Sequence, residues 1–255
     1  MRFIDSHTHT YLRGPEDLEL MAISGIEGVI LCSFLPFQPH GFSTMYDLFK
    51  WLIENETYRL YKYGIHSRVA IGIHPKAIPE SEVKMVLDYI LTLFDNEKAS
   101  ALGEVGLETG SKEEEDVFIQ QLRIANEYLV PIIVHTPRQN KQKILEKIIS
   151  ILDSENVDFS RVIIDHLTLD LIEKVKSIGA IVGLTVQPGK LTPKDIYDVI
   201  TKYGPEGIVI NSDIGVNPSD PLALPRTAHY LSKEGISGGD IQKIMYSNIR
   251  SLLPI

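Results

Sequence analysis

The segment Asp5-Ser6-His7-Thr8-His9 sets two imidazoles two residues apart after a short apolar start. In an extended strand residues i and i+2 share a face, so His7 and His9 point the same way. Together they offer half of a site for Zn²⁺ or a similar divalent ion. Four further ionisable residues close apolar runs. Glu104 follows Ala-Leu-Gly, His135 follows Ile-Ile-Val, His166 follows Ile-Ile-Asp, and Asp213 follows Ile208-Val209-Ile210-Asn211-Ser212. A lone ionisable group in such a place is costly unless it is paired or bound to a metal. One histidine there reads as a hydrogen-bonded core residue. The whole set of His7, His9, Glu104, His135, His166 and Asp213 reads as a metal centre.

For these residues to meet, the elements that carry them must converge. The candidate strands are Phe3–His7, Gly28–Ser33, Arg68–His74, Ala101–Val105, Ile132–His135, Val162–His166, Ala180–Thr185 and Gly207–Ser212. Val and Ile dominate them without strict alternation, as strands buried on both faces of a parallel sheet require. Helix-period stretches lie between. Ser81 heads one running through Val83, Val86, Leu87, Ile90 and Leu91, another spans Met45 to Tyr63, and Ser111 caps a third. That third helix opens with Glu113, Glu114 and Glu115, carboxylates that a helix dipole stabilises. Lys141, Lys143 and Lys147, with Glu146 among them, read as a solvated helix face.

Eight strands with intervening helices either spread as an open doubly wound sheet or close into a barrel. One residue near the end of each strand gives His9, Cys32, His74, Glu104, His135, His166, Thr185 and Asp213. An open sheet strings these along a line and keeps the first from the last. Closure sets the first strand beside the eighth and makes one site of them all. The expected fold is therefore α/β, a single (β/α)8 TIM barrel over residues 1–255. Ser219 to Leu253 would supply the eighth helix and an extra C-terminal helix.

Composition narrows the setting. No linker or low-complexity tract divides the 255 residues, and no apolar run approaches the roughly 18 residues of a membrane span. The opening Met-Arg-Phe-Ile-Asp-Ser-His does not read as a secretory signal. Cys32, the only cysteine, excludes an internal disulfide and points to a reducing cytoplasm. With 25 Lys+Arg against 34 Asp+Glu, the net charge of −9 argues against diffuse adhesion to nucleic acid or anionic membrane. The expected partner is a small-molecule or nucleic-acid-end substrate, with no membrane and no evident protein partner.

The motifs His7-Thr-His9, Gly103-Glu104-Val-Gly106-Leu, Ile133-Val134-His135-Thr136, the strand ending in His166, and Ser212-Asp213 together resemble the TatD-related hydrolases. These are metal-dependent TIM-barrel enzymes of the amidohydrolase superfamily. Gly72-Ile73-His74-Pro75 also resembles a motif that family carries after its third strand. The likeness runs in the family's order from His7 to Asp213, and Glu104 stands where other branches often carry lysine. It implies two divalent ions (Zn, Mn or Mg), one held by His7, His9 and Asp213, the other by His135 and His166, with Glu104 bridging. It also implies water whose pKa falls toward ~7 to supply hydroxide. Asp213 then orients that nucleophile and shuttles its proton, so Asp213 and Glu104 are the expected catalytic residues.

The loops depart from the family pattern. Lys76 follows His74-Pro75 where many relatives have another His, and Glu108 replaces a common Asp. Leu167-Thr-Leu follows His166, Thr136-Pro-Arg138-Gln-Asn-Lys141 follows His135, and Ser212-Asp213 continues into Ile-Gly-Val. This is a diverged branch, and in barrels such loops set substrate choice. His74, Arg13 and Arg138 are the candidate substrate contacts. The aromatic loop 34–42 reads either as a lid or stacking platform or as a segment packed over the next helix. His66 and His229 read as structural or surface residues, with His40 an outside candidate.

The expected activity is metal-dependent hydrolysis of phosphodiester bonds, as in a deoxyribonuclease. The nuclease part comes from the resemblance, since no basic groove or aromatic ladder is visible. An alternative is hydrolysis of a small amide, lactone or phosphoester. A metal-binding barrel without catalysis fits less well, because a structural zinc site closes with four ligands and needs no bridge.

Overall fold

The computed structural model describes residues 1–255. Eight strands lie in one parallel sheet in chain order. They are β1 (Phe3–Thr8), β2 (Ile26–Cys32), β3 (His66–Ile71), β4 (Ala101–Gly106), β5 (Ile132–His135), β6 (Val162–Ile164), β7 (Ile181–Thr185) and β8 (Ile208–Asn211). The helices outside the sheet are α1 (Pro15–Ile23), α2 (Phe42–Lys50), α3 (Thr57–Lys62), α4 (Val83–Asp95), α5 (Lys112–Tyr128) and α6 (Lys141–Ser154). They continue with α7 (Ile172–Ser177), α8 (Pro193–Tyr203), α9 (Ala223–Lys233), α10 (Gly238–Gln242) and α11 (Asn248–Leu252). No helix is long and apolar enough to cross a membrane.

The sheet closes at a seam between β1 and β8. The Asp213 N–H donates to the His7 carbonyl at 3.2 Å, and the His9 N–H donates to the Ile214 carbonyl at 2.7 Å. Side chains complete it. Ser6 Oγ donates to the Ile210 carbonyl at 3.0 Å, while the Ser212 N–H and Oγ both donate to the Asp5 carboxylate, at 3.1 and 2.5 Å. Burial pushes the Asp5 carboxyl up to about 7 even against those bonds. The fold is the expected single (β/α)8 TIM barrel, with its strand ends gathered at one mouth.

Two apolar layers support the sheet. The larger lies between strands and helices, and its helices supply one buried stripe each, as Val86, Leu87, Ile90, Leu93 and Phe94 do in α4. The smaller fills the barrel with Ile4, Ile30, Cys32, Ala70, Ala101, Ile133, Ile163 and Val209. Its lower end is plugged by Tyr246, Ile249 and Leu253 from a continuous helical run in which a π-helical turn, Lys243–Ser247, joins α10 to α11.

Several local readings change. Ser81 does not cap α4; Glu82, with φ of 62°, stands at that cap and Ser81 Oγ bonds the His40 carbonyl instead. The helix placed at Met45–Tyr63 starts at Phe42 and contains a π-helical stretch, Trp51–Glu56. Buried Glu56 on that stretch accepts from Thr10 Oγ1 at 2.6 Å and from Arg59 Nε at 2.7 Å, which ties the first βα loop down. The lysines of α6 do not form one solvated face. Lys143 is exposed, but Lys147 pairs with Glu115 and the Gly110 carbonyl, and Lys141 turns into the mouth of the barrel. Ser111 does cap α5, accepting from the Glu114 N–H at 3.3 Å. Glu114 does more than meet a dipole: its carboxylate accepts the N–H groups of Glu108, Thr109 and Gly110 and so shapes the loop after β4.

Candidate metal centre

Glu104, buried at the end of β4, is the hub of the mouth. Its Oε2 lies 3.2 Å from His7 Nε2 and 3.6 Å from His9 Nε2. Its Oε1 lies 2.7 Å from His135 Nδ1, 3.1 Å from His166 Nε2 and 3.6 Å from His74 Nε2. Asp213 Oδ1 adds a contact of 3.4 Å to His9 Nε2. The six sequence-predicted metal residues therefore stand in one cluster, and one carboxylate divides the histidines between its two oxygens. Three overlapping donor groups arise: His7, His9 and Glu104; His7, His166 and Asp213; His74, Glu104 and His135.

Backbone geometry aims these side chains. His166 and Asp213 both adopt left-handed backbone, with φ of 58° and 47°. That conformation is uncommon outside glycine and breaks the alternation of a strand at its end. Asp165 and His166 consequently both face the site, although they are neighbours. Asp165 Oδ2 holds His7 Nδ1 at 2.6 Å, and Asn211 Nδ2 and the His166 N–H donate to the same carboxylate. Room for it comes from Gly183 on β7, where a Cβ would fall 2.5 Å from Asp165 Oδ1.

The hydrogen-bond partners decide which nitrogens are free. His7 Nδ1 faces a carboxylate, and His9 Nδ1 faces the Cys32 carbonyl at 2.9 Å, so each carries its proton there. Both Nε2 atoms are then bare in the neutral rings, yet they stand 3.2 Å apart and both face Glu104 Oε2. Acceptors converging with no proton among them require a cation. Two ligands each about 2.0–2.2 Å from one tetrahedral ion stand about 3.3–3.6 Å apart. The donor set thus fits a divalent ion by chemistry and by spacing. His135 behaves alike: Nε2 is tied to Glu108 at 2.8 Å, which leaves Nδ1 to face Glu104. His166 Nδ1 lies 2.7 Å from Thr185 Oγ1, a hydroxyl able to accept its proton and so leave Nε2 free. His74 differs. Its Nδ1 accepts the Lys76 N–H at 3.0 Å, so Nε2 carries the proton and points at Glu104.

Proton affinities express the same demand for positive charge. Burial works against a charged His7, but Cys32, Glu104 and Asp165 outweigh it and hold its pKa well above the ordinary value. Glu104, despite burial, is held well below the carboxylate range by His7, His74 and His135. Asp213 is likewise depressed, burial being overcome by His9, His166 and Lys190. Burial pushes His74 down to about 4. His166 falls to about 4 through burial and the nearby Lys190.

The cluster opens into a cavity of about 670 Å³. Only Phe34, Leu167, Leu191 and Val216 bring apolar side chains to it, whereas Lys76, Arg138, Lys141 and Lys190 bring positive charge. His74 and Arg138 are at this wall, as expected. Arg13 is not: its guanidinium is bound to Asp17 at 2.6 Å and to the Gly215 carbonyl at 3.1 Å. From the 34–42 loop Phe34 alone lines the cavity, its ring 5.3 Å from His9 and 4.9 Å from His74. The loop's far part is stitched to residues 78–82, with exposed His40 on Glu80. His66 and His229 lie exposed, away from the site.

Sequence reading missed Asp165, Lys190 and Tyr11. Asp165 carried the same signal as the others, a charge closing an apolar run, but was masked by taking one residue per strand. Lys190 Nζ sits 2.6 Å from Asp213 Oδ2 and 3.0 Å from His166 Nδ1. Its signal was the Pro188-Gly189 turn, which marks a short loop at the end of β7. Tyr11 donates to the Phe34 carbonyl at 2.8 Å and fixes the entrance to that loop.

Comparisons with known proteins agree with this geometry. A family model described as TatD related DNase matches residues 4–254. A protein of Methanocaldococcus jannaschii described as a metal-dependent hydrolase is 37% identical over 251 residues, covering 97% of this chain and 98% of the relative. The crystal structure of a TatD-like protein from Archaeoglobus fulgidus superposes with a TM-score of 0.85 at 30% identity, covering 99% of this chain and all of the other. A phosphotriesterase homology protein from Escherichia coli, solved with phosphate in its active site, shares the fold at a TM-score of 0.72 and 18% identity, covering 98% of each chain.

Proposed function

Because this chain belongs to the TatD-related DNase family and is a metal-dependent hydrolase, we propose that the bond it breaks is a phosphodiester, at the end of a nucleic acid or in a small nucleotide. The observation that carries this reading is the charge of the cavity. Four cations line it against three carboxylates, Glu104, Glu108 and Asp213, in a chain of net charge −9. A lactone or neutral amide gains little from such a wall, whereas an anionic ester does. The reducing, cytoplasmic setting belongs to the same proposal and rests on Cys32, buried as a free thiol in the barrel.

His7, His9 and Asp213 would hold one divalent ion, and His135 and His166 a second, with Glu104 between them. Ions held there supply Lewis acidity, which makes hydroxide available near neutral pH and offsets charge on the phosphoryl oxygens. The chain's own residues do the rest. Asp165 fixes the tautomer and tilt of His7, a bond of the kind that usually tunes a ligand. Lys190 holds Asp213 Oδ2 and so fixes the carboxylate that would take a proton from the attacking water and return it to the leaving oxygen. The Nε2–H of His74, which burial keeps neutral, is available to donate to an anionic oxygen.

The test is a panel of single-stranded DNA, bis(p-nitrophenyl) phosphate, lactones and small amides, offered to protein loaded in turn with Zn²⁺, Mn²⁺ and Mg²⁺. Cleavage of the phosphodiesters, stopped by a chelator, is the expected result. Intact phosphodiesters together with cleaved lactone or amide would replace this reading with the small-substrate one.

A further inference from the structure

Positive charge is not spread evenly around the cavity. Lys76 pairs with Glu108 at 3.8 Å. The other three cations come from the segments after β5 and β7, and the two lysines meet at His166. Lys190 Nζ lies 3.0 Å from His166 Nδ1, and Lys141 Nζ donates to the His166 carbonyl at 2.7 Å. Arg138 leans over the turn that precedes Lys190, with Nη1 3.9 Å from where a Cβ on Gly189 would stand. Of these three only Lys190 is paired with a carboxylate, Asp213.

Their remaining hydrogen-bonding capacity differs. Lys141 spends its three N–H groups on the Thr136 carbonyl, Thr136 Oγ1 and the His166 carbonyl, at 3.2, 2.8 and 2.7 Å. It contributes field but no further bond. Lys190 spends one donor on Asp213 and keeps the others, because the nearby His166 Nδ1 gives its own proton to Thr185 Oγ1 and cannot accept. Arg138 is exposed, pairs with no carboxylate of the chain and keeps its whole planar fork, the geometry that matches phosphate.

We propose that Arg138, Lys141 and Lys190 form a subsite for a second anionic group of the substrate, a phosphate next to the phosphodiester that is cleaved. The inference rests on the phosphodiester reading and extends it. A single phosphodiester carries one charge, which the divalent ions that the cluster at Glu104 would hold also answer, so it leaves much of this cationic wall unanswered. A neighbouring phosphate answers it with oxygens suited to an Arg fork and a free ammonium N–H. The acidic balance of the chain opposes a long basic track, so the preferred substrate is a short, terminally phosphorylated piece.

The test compares equilibrium binding of thymidine 5′-monophosphate and thymidine 3′,5′-bisphosphate to metal-loaded protein, with turnover of a dinucleotide carrying or lacking a terminal phosphate. The second phosphate should tighten binding by roughly ten- to a hundredfold, the range of charge-assisted hydrogen bonds. Arg138→Ala and Lys190→Met should each shrink that ratio, Arg138→Lys should restore part of it, and added salt should compress it. Circular dichroism checks that each variant is folded. A ratio near one in the parent protein, or a ratio unchanged in both variants, overturns the subsite. If phosphodiesters are cleaved with no preference for the added phosphate, the subsite alone falls. If only lactones or amides are cleaved, the phosphodiester reading falls and the subsite with it.

Discussion

Gly183 on β7 faces Asp165, the residue just after β6, and adding one methyl to the first should damage the site through the second. A Cβ at residue 183 would lie 2.5 Å from Asp165 Oδ1 and 2.9 Å from its Cα and Cγ. The Gly183 backbone is ordinary β-strand, so Gly183→Ala without a clash would stabilise by about 0.4–1 kcal/mol through the unfolded chain. With the clash, overpacking of a buried site costs about 1–3 kcal/mol, and the sign reverses. The shifted carboxylate also releases His7 Nδ1, and loss of such a ligand-orienting bond costs about 10–100-fold in metal affinity. Zinc titration with a competing chelator and thermal unfolding read the two effects. Changes at Asp165 separate bulk from charge. Asp165→Asn keeps the bulk but loses the charge, so combined with Gly183→Ala it should retain the clash with the added methyl. Asp165→Ala removes the carboxylate and leaves only its Cα, 2.9 Å from the added methyl, so Gly183→Ala added to it should cost less stability than in the parent and almost nothing further in affinity. Additive losses in that double variant would refute the claim that Gly183 exists to accommodate Asp165.

Four further outcomes follow from the same structure. Asp213→Asn should lower kcat by about 10²–10⁴ while thermal unfolding stays near that of the parent, and normal turnover would remove Asp213 from proton handling. Metal analysis after loading should return about two divalent ions per chain, as expected for donors split across the two oxygens of Glu104, and exhaustive chelation should abolish hydrolysis until metal is restored. Glu114→Ala should orphan the N–H groups of Glu108, Thr109 and Gly110, destabilising the chain by about 1–3 kcal/mol and speeding amide hydrogen exchange at Thr109 and Gly110. Ser212→Ala should cost a similar ~1–3 kcal/mol, measured by urea unfolding, because buried Asp5 loses a hydroxyl donor at the seam.

The barrel was legible because the ionisable strand ends require convergence, which an open sheet cannot provide. The candidate metal residues were legible for the same reason: each interrupts an apolar run where an unpaired charge is costly. Strand ends were less so. His74 lies beyond β3 and His166 beyond β6, because the loops continue the inward direction after the sheet hydrogen bonds stop. Asp165 was hidden by the assumption that neighbours face opposite ways, which the left-handed backbone of His166 violates. Lys141 looked solvated because helix periodicity describes a face and not what lies over its first turn. The turn after β5 places that first residue of α6 against Thr136 and His166. Arg13 looked available because its partners, Asp17 and Gly215, are set by the first helix and the opposite end of the chain.

The seam between β1 and β8 also has a meaning for synthesis. Ser6 bonds a carbonyl 204 residues away in sequence, and the partners of Asp5, His7 and His9 are Ser212, Asp213 and Ile214. During translation β1 emerges long before β8 and must wait, with its buried-to-be aspartate and two histidines in water, until residue 214 has cleared the ribosome. No earlier fragment can close the sheet or complete the donor cluster. A partial chain is therefore exposed to pairing of its free edge with another strand, and loose metal at that stage meets a donor set that still lacks Asp213. Closure of the sheet and completion of the donor cluster therefore arrive in one late event.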